Sequence, residues 1–576
     1  MTMRSETEID TLGAPADDGG MLVWPDADAL LRLAEENRRL RGSYRFEMLQ
    51  RPAGDWVGMA AARGPVIMTG HQPLFFHPGV WAKHVAASAL AVRLGGQAEF
   101  LVVDSDALHT FALRWPADGA DRCRLRSAMP FHNAGDRSYE QLPRLPSERW
   151  RSLFAEASAA SQAMPETAWA TYVDGFMQPV RAVDEATDDY VTRWAGGMRT
   201  VDRLLDIQPP QFKRVSEFFS CRSVGSSPRS ERAGHSLISR PRSERVEQSD
   251  DGQMCVCPPA KAGGSCRGKV GGSCGRALGF VAHLLLNAEA FAAAYNEALA
   301  AYRARRGIRG RRHPIPDLAV DGDRVELPLW LLHDHEPRRR LAVSSVGRDG
   351  IRVWAGAEPI CLLPRRDLRS DAAVVLSKEP GGWEIRPRAL ALLMYVRLFV
   401  CDLFIHGVGG AKYDQITDGV IRRFFGVEPP AFACVSATLR LPLSIYDVSE
   451  ADRLSCRRRV RDVQFNPQRY VGSDAASSEI AALREKRERA IADSVRLRRA
   501  EPRNRADRRA AFERIRRANV TLLQAAPDML QRMRRELVNV SGQLEHNRFA
   551  QSREWFFAFH PLERLRALAE ALRCYR

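Results

Sequence analysis

The chain has 576 residues, 45% of them hydrophobic and 27% charged, the averages of a folded protein of about two to four units rather than a disordered tail or a membrane protein. No apolar run reaches the roughly 18 to 20 residues of a membrane-spanning helix, and the first residues lack the apolar stretch of a secretory signal, so a cytoplasmic protein is expected. Lys and Arg total 86 against 70 Asp and Glu, a formal charge of +16, which favours anionic partners such as phosphates, nucleotides, nucleic acid or an acidic protein surface.

In chain order, residues 1–25 are polar, show no period and read as a mobile lead-in. A helical pattern from Asp26 through Ala62 then gives way to an apolar run, Val66-Ile67-Met68, that reads as a buried strand. The loop Thr69-Gly70-His71-Gln72-Pro73 follows, and His77-Pro78-Gly79 opens an Ala-rich helix to about Leu94. Ala98 to Val103 is a second buried strand. Strand, loop, helix and strand in that order make a βαβ unit of a parallel sheet. Residues 140–206 are expected to be mostly helical, completing a first part of the core over 26–220.

Residues 221–276, rich in Ser, Arg and Gly, offer too little apolar surface to offset chain entropy and read as a disordered insertion. They hold five (Cys221, Cys255, Cys257, Cys266, Cys274) of the 11 cysteines. An odd, unframed set of this kind fits reduced thiols, and the absence of paired CxxC knuckles argues against zinc. From 277 to 475 a mixed segment is expected. Helical periodicity returns at Phe280, and strands follow at Arg324–Leu332, Arg340–Ser345 and Ile351–Trp354 with hairpin turns between them. Residues 387–426 are helical around an interruption at Gly407-Val408-Gly409-Gly410, and Ala433–Leu439 is a further strand.

The tail, 476–576, reads as charged helices broken near Pro502 and Pro527, with Leu530, Met533, Leu537, Val540 and Leu544 at alternating three and four spacing. Residues 477–576 carry 23 Arg plus Lys against 13 Asp plus Glu. No aromatic interleaving accompanies those arginines, so a salt-bridged coiled coil is expected rather than a nucleic-acid surface.

Three places carry candidate chemistry. A strand–loop–helix corner containing Thr69, Gly70 and Gly79 can receive a phosphate on outward helix amides, with His71 and His77 on its lip and Lys83 one turn inside. The imidazoles can donate to phosphate oxygens or, when charged, stabilise a phosphorus in transfer. A structural role for both histidines is the alternative. The spacing is neither GxxxxGK[ST] nor GxGxxG. Asp104 and Asp106 end the second strand beside His109, where acids can hold a metal, a ribose or a substrate amine; capping of a helix by Ser105 or Asp106 is the alternative. Gly407, Gly409 and Gly410 permit close backbone approach to a ligand and Lys412 can neutralise phosphate charge, with Asp414 and Asp418 one turn apart; close helix packing is the alternative. His333-Asp334-His335 reads as surface.

Thr69-Gly70-His71-Gln72-Pro73-Leu74-Phe75-Phe76-His77-Pro78-Gly79-Val80-Trp81 resembles the TGxQxGLFxGPLY motif of the cysteine-adding enzymes of bacillithiol biosynthesis. Arg386-Pro387-Arg388-Ala389-Leu390, then Gly407–Gly410 with Lys412 and Tyr413, then Phe424-Phe425-Gly426-Val427-Glu428-Pro429-Pro430, follow the order of that family's PNxxLRPLYQ, GGxGExAYW and FGVPMP segments. His71 stands where the family has Gln, Pro78-Gly79 where it has GP, and Ala411-Lys412 where its glycine cluster has an acid.

The resemblance implies an α/β fold, a Rossmann-like parallel-sheet core with inserted helical and mixed segments plus a C-terminal helical coiled coil that pairs two subunits. It implies an ATP-dependent ligase joining a small-molecule amine to an activated carboxylate, the family's own reaction being addition of cysteine to glucosaminyl malate. ATP or another nucleotide, with Mg2+ as its companion ion, would lie with its phosphates over Gly79. His71 and His77 would stabilise transferred charge and Asp104 or Asp106 would orient the amine or a metal ion. Gly409, Gly410 and Lys412 would close the opposite wall. The alternative is a non-catalytic nucleotide-binding or coiled-coil scaffold that binds a partner or RNA.

Overall fold

A computed structural model describes residues 6–57, 64–108, 113–119, 122–128, 137–146, 148–152, 155–156, 189–220, 273–309, 315–333, 336–378, 382–470, 478–500, 502–525 and 527–574. Most of the expected insertion at 221–276 and of the helical stretch before residue 189 therefore lies outside the described residues, as does His109. The chain divides into two units, one of Met1–Trp115, Ser127–Arg440 and Arg553–Arg576, the other of Pro116–Arg126 and Leu441–Ser552.

The first unit opens with a short helix, Glu6–Thr11, followed by β1 (Met21–Trp24) and α1 (Ala27–Gly42), the latter capped by Asp26, whose carboxylate accepts from the Ala29 amide at 2.8 Å. The stretch expected as a lead-in thus contains a strand, paired antiparallel with Cys434–Ala437. The helix expected to run to Ala62 ends at Gly42. The next elements are β2 (Val66–His71), α2 (Pro78–Arg93), β3 (Gln97–Val102), α3 (Tyr190–Leu204), β4 (Gln211–Arg214), α4 (Ser273–Leu286) and α5 (Ala288–Arg305). A meander follows of β5 (Arg324–Leu332), β6 (Arg339–Val346), β7 (Gly350–Ala355) and β8 (Glu358–Pro364), then a helix, Arg365–Ser377, and β9 (Glu384–Pro387), which returns to pair with β5. Then come α6 (Ala389–Tyr395), β10 (Leu403–His406), α7 (Val408–Phe424) and β11 (Ala433–Ala437). The segment expected as helix around a glycine interruption therefore holds a four-residue strand, Leu-Phe-Ile-His, directly before the glycines.

The strands make two main sheets. In the first the order is β1-β11-β10-β2-β3-β4, parallel throughout except at β1. Ile67, Met68, Phe100, Ile405 and Val435 are wholly buried, as expected of parallel strands covered on both faces, whose sequences read as continuous apolar runs. From β2 the chain steps outward through β3 and β4 on one side. It then returns to build β10 and β11 on the other. The order reverses between β2 and β10, which pair as Leu403 with Ile67 and Ile405 with Thr69. Loops leaving neighbouring strands in opposite directions leave a crevice at their carboxyl ends, where open α/β sheets hold their ligands. The second sheet is the antiparallel meander, ordered β8-β7-β6-β5-β9, and contains the three expected strands.

Helices α4 and α5 meet at 90° and their apolar faces are buried in the core, and among the described residues no single helix is long and apolar enough to cross a membrane. Cys274 is disulfide-bonded, which corrects the expectation of reduced thiols; Cys401, Cys434, Cys456 and Cys574 are free. A last helix of this unit, Leu562–Cys574, packs on α2, and Trp81 of α2 stacks on Phe557 with ring centroids 5.3 Å apart.

The second unit consists mainly of four helices, Glu450–Phe465, Ser478–Ala500, Arg505–Ala525 and Pro527–Ala550. The second packs along the third and the first along the fourth. Small residues close the contacts: Ala490, Ala511 and Ala518 are buried, with Leu522, while Leu530, Met533, Leu537, Val540 and Leu544 are only half-buried. Many arginines pair with acids on their own helix, as in Arg489–Glu485, Arg496–Asp493 and Arg509–Glu513.

Candidate functional site

At the start of α2 the chain caps itself. His77 has extended backbone geometry and its Nδ1 accepts the Gly79 amide at 3.0 Å. Pro78, at the first helical position, has no N–H to offer. Arg553 then fills the remaining space: its guanidinium donates to Ser436 Oγ at 3.1 Å and to the Ala437 carbonyl at 3.0 Å, and it lies where a side chain at residue 79 would have to go. The Gly79 amide is therefore occupied, and the expected phosphate seat over it is corrected.

Both lip histidines are neutral near pH 7. Burial, reinforced by Lys83, pushes His71 down to about 3. His77 is pushed down to about 4 by burial, then Arg553 and Lys83. With no ligand anion beside them, both rings are neutral hydrogen-bonding groups. His71 Nδ1 lies 3.1 Å from the Gln72 carbonyl, and His77 Nε2 lies 3.7 Å from Glu554.

The two strand-end acids separate. Asp104 is fully buried and accepts the Ser216 amide at 3.0 Å and the Ser216 hydroxyl, so it holds the turn that follows β4. Burial, with Glu140 nearby, pushes its carboxyl up to about 7. It does not reach the crevice, which corrects its expected role. Asp106 does reach it. Its oxygens accept from Gln72 Nε2 at 2.8 Å, Arg338 Nη1 at 2.8 Å and the Ala107 amide at 2.9 Å. These partners outweigh burial and hold Asp106 below the usual carboxylate range. Thr69 is likewise internal, its hydroxyl donating to the Ile405 carbonyl at 2.8 Å and tying β2 to β10.

The crevice is a cavity of about 460 Å³, within the usual size range of small-molecule sites. Gly70, His71, His77, Gly79, Lys83, Asp106, Gly407, Gly409 and Gly410 all line it, whereas Thr69, Asp104 and Lys412 do not. Among the described residues its charged lining is Lys83, Arg338, Arg388 and Arg553 against Asp106 alone, so the cavity is positive.

Lys83 is the most enclosed of these cations. It is 4% exposed, and its ammonium donates to the Gly70 carbonyl at 2.9 Å with no carboxylate in ion-pairing range among the described residues. Burial lowers it to about 8. Beside it, with Lys83 Cδ 3.7 Å from where a side chain at Gly407 would begin, α7 starts after Gly407 with no side chain capping it. The first amides of an uncapped helix have no partner within the helix, and they carry the positive end of its dipole. A side chain at Gly409 would meet nothing within 4 Å, so the backbone there is open to a ligand.

Residues that were not among the site candidates complete the wall, Arg388 among them although it lies in the Arg386–Leu390 motif. Arg338 and Arg388 flank the Trp330 ring at 4.3 and 5.0 Å, and Arg388 also pairs with Glu326 at 2.6 Å. They come from the second sheet and the start of α6, so no local spacing could announce them. His406, the last residue of β10, also lines the cavity. Its Nε2 lies 2.8 Å from Asp414, which in turn pairs with the buried Arg397 at 2.7 Å. Arg397 and the histidine outweigh burial and hold Asp414 down at about 2, whereas burial lowers His406.

Lined by cations, helix amides and one carboxylate, the cavity suits an anionic ligand that also carries an amine or hydroxyl. Among the described residues no three His, Cys, Asp or Glu converge as metal ligands. A nucleotide's Mg2+ is held largely by phosphates and one or two carboxylates, a part Asp106 fits. No family model matches the chain, and no curated protein matches it.

Proposed function

We propose that the chain is a ligase that binds ATP or another nucleotide in this cavity, activates a carboxylate with it and joins that carboxylate to a small-molecule amine. The observation that carries the reading is the Lys83 ammonium, buried with no counter-ion among the described residues, set in one cavity with the uncapped start of α7. Fixed cations and amides of this kind favour charge that builds on phosphoryl oxygens as a bond to phosphorus is exchanged, at no cost of reorganisation. Arg388 and Arg338 suit a substrate carboxylate, which planar guanidinium groups bind in two-point fashion, and Asp106 suits the amine.

The sheet order supports a Rossmann-like core, since the order of its five parallel strands reverses beside the cavity. The motif resemblance to the cysteine-adding enzymes of bacillithiol biosynthesis supports ligation as the reaction class, with an amine and carboxylate open to differ from theirs. The half-buried stripe from Leu530 to Leu544 supports a coiled-coil contact that pairs two copies.

The test is calorimetric titration of the full chain with Mg-ATP, followed by incubation with ATP, labelled amino acids and amine acceptors. Saturable binding and amine-dependent release of AMP or ADP are expected. A chain that binds no nucleotide would return the scaffold alternative.

A further inference from the structure

We infer that His406 is the group that takes the proton of the attacking amine, with Asp414 as its positioning residue; this rests on the ligase reading above. The ring is held at one nitrogen only. Nε2 meets Asp414 Oδ2 at 2.8 Å, and among the described residues nothing bonds Nδ1. With Asp414 ionised, the ring proton is held on Nε2 and the Nδ1 lone pair is left bare. A side chain at residue 410 would come within 2.9 Å of Nδ1, so Gly410 keeps that nitrogen uncovered. His406 is 4% exposed and lines the cavity beside Gly407 and Gly409.

The network behind the ring has room for the proton. Arg397 stands between Asp414 and Asp418, at 2.7 Å from each, so one guanidinium faces two carboxyl groups. A proton added at His406 is compensated by this pair of acids. Lys83, from α2, is the other charged group that acts on the ring, and an anionic ligand on Lys83 would offset its charge.

The step balances as follows. The amine nitrogen attacks the carbonyl carbon of the acyl phosphate or acyl adenylate made from ATP and the carboxylate, forming a C–N bond. The C–O bond to the phosphoryl group breaks, and its electron pair leaves with phosphate or AMP. The surplus proton on nitrogen passes to Nδ1. The resulting imidazolium keeps its Nε2 hydrogen bond to Asp414 and later returns a proton to water.

The test supplies the full chain with ATP, the common amino acids as carboxylates, and either hydroxylamine or an ordinary amine (methylamine, ethanolamine and glucosamine, separately). Hydroxylamine is already neutral near pH 7, so its capture of an activated carboxylate depends little on a base. In His406→Gln, transfer to the ordinary amines should fall about 100-fold or more in kcat. Its hydroxamate formation should fall by less than about threefold, with KM for ATP held. Asp414→Asn should show the same split. In the unaltered chain, 15N spectra should show a protonated Nε2 and a bare Nδ1 at His406. A proton on Nδ1, or equal loss with both kinds of acceptor, overturns the assignment, as does a His406→Gln chain that serves ordinary amines at the parental rate. So does a parent that forms hydroxamate but no amide. A parent that forms neither overturns the ligase reading itself.

Discussion

Two helices of similar length begin side by side at the carboxyl ends of β2 and β10, and they offer a ligand very different things. Helix α2 starts with a histidine cap, a proline and an arginine laid over its first glycine, so its terminal donors are spent inside the protein. Helix α7 starts with Gly407-Val408-Gly409-Gly410 and no side-chain cap, and the Lys83 side chain runs alongside Gly407, its Cδ 3.7 Å from where a side chain there would begin. A helix N-terminus is thus an anion site only where its own residues leave the amides open. Glycine and histidine occur at both starts; what separates them is that His77 bonds the first backbone amide of its helix, whereas His406 bonds a side chain, Asp414.

The comparison can be broken most sharply at Gly409. A side chain there meets no atom within 4 Å, so Gly409→Asp should fold normally while setting a carboxylate before the α7 amides. ATP affinity, read by calorimetry, should fall on the order of 100-fold or more, since like charges in contact cost several kcal/mol. Lys83→Met should come next, at about 10- to 100-fold, the worth of a hydrogen bond to a charged group. Because Lys83 titrates at about 8, the parent's affinity should weaken as pH rises through that value, whereas the Met variant should lack that step.

His77→Ala should behave in the opposite sense. Loss of the cap should cost about 1 kcal/mol of stability in thermal or urea unfolding, with ATP affinity changed less than about threefold. A larger loss of affinity would return the ligand to α2. The smallest effect is expected on acidification. His71 and His77 stay uncharged from pH 7 to 5, so ATP affinity should gain no histidine-dependent increase over that range. Stability should nevertheless decline there. The unfolded histidines take up protons near 6.5 while the folded ones resist to about 3 and 4, so the unfolded state binds more protons as pH falls. Substituting Gln at both positions should flatten that decline.

Much of the sheet was legible from local pattern alone. Val66–Met68 and Ala98–Val103 are short apolar runs bounded by turn residues, and burial on both faces demands that composition. The crevice followed from their shared carboxyl ends. Asp104 and Asp106 could not be told apart in advance: residues two apart in a regular strand share a face, but the chain turns after Val102, sending one acid inward to Ser216 and the other into the cavity. His406 was masked because β10 is only four residues long and reads as part of the helical stretch around it. Arg388 reaches Trp330 only through the pairing of β5 with β9, a long-range register that no spacing encodes, whereas Arg338 reaches it across the β5–β6 hairpin. Lys412 was drawn in by its neighbouring glycines, yet three positions further along a helix than Gly409 a side chain starts from a higher turn.

Arg553 has a bearing on when the cavity becomes whole. It belongs to the segment that returns to the first unit after the four-helix unit is complete, and it braces the ends of β11 and α2. A nascent chain stopped at Ser552 would contain every strand of the sheet yet leave that side of the basin unwalled. Assembly of the binding chamber therefore waits on translation of residues far downstream of the β-scaffold.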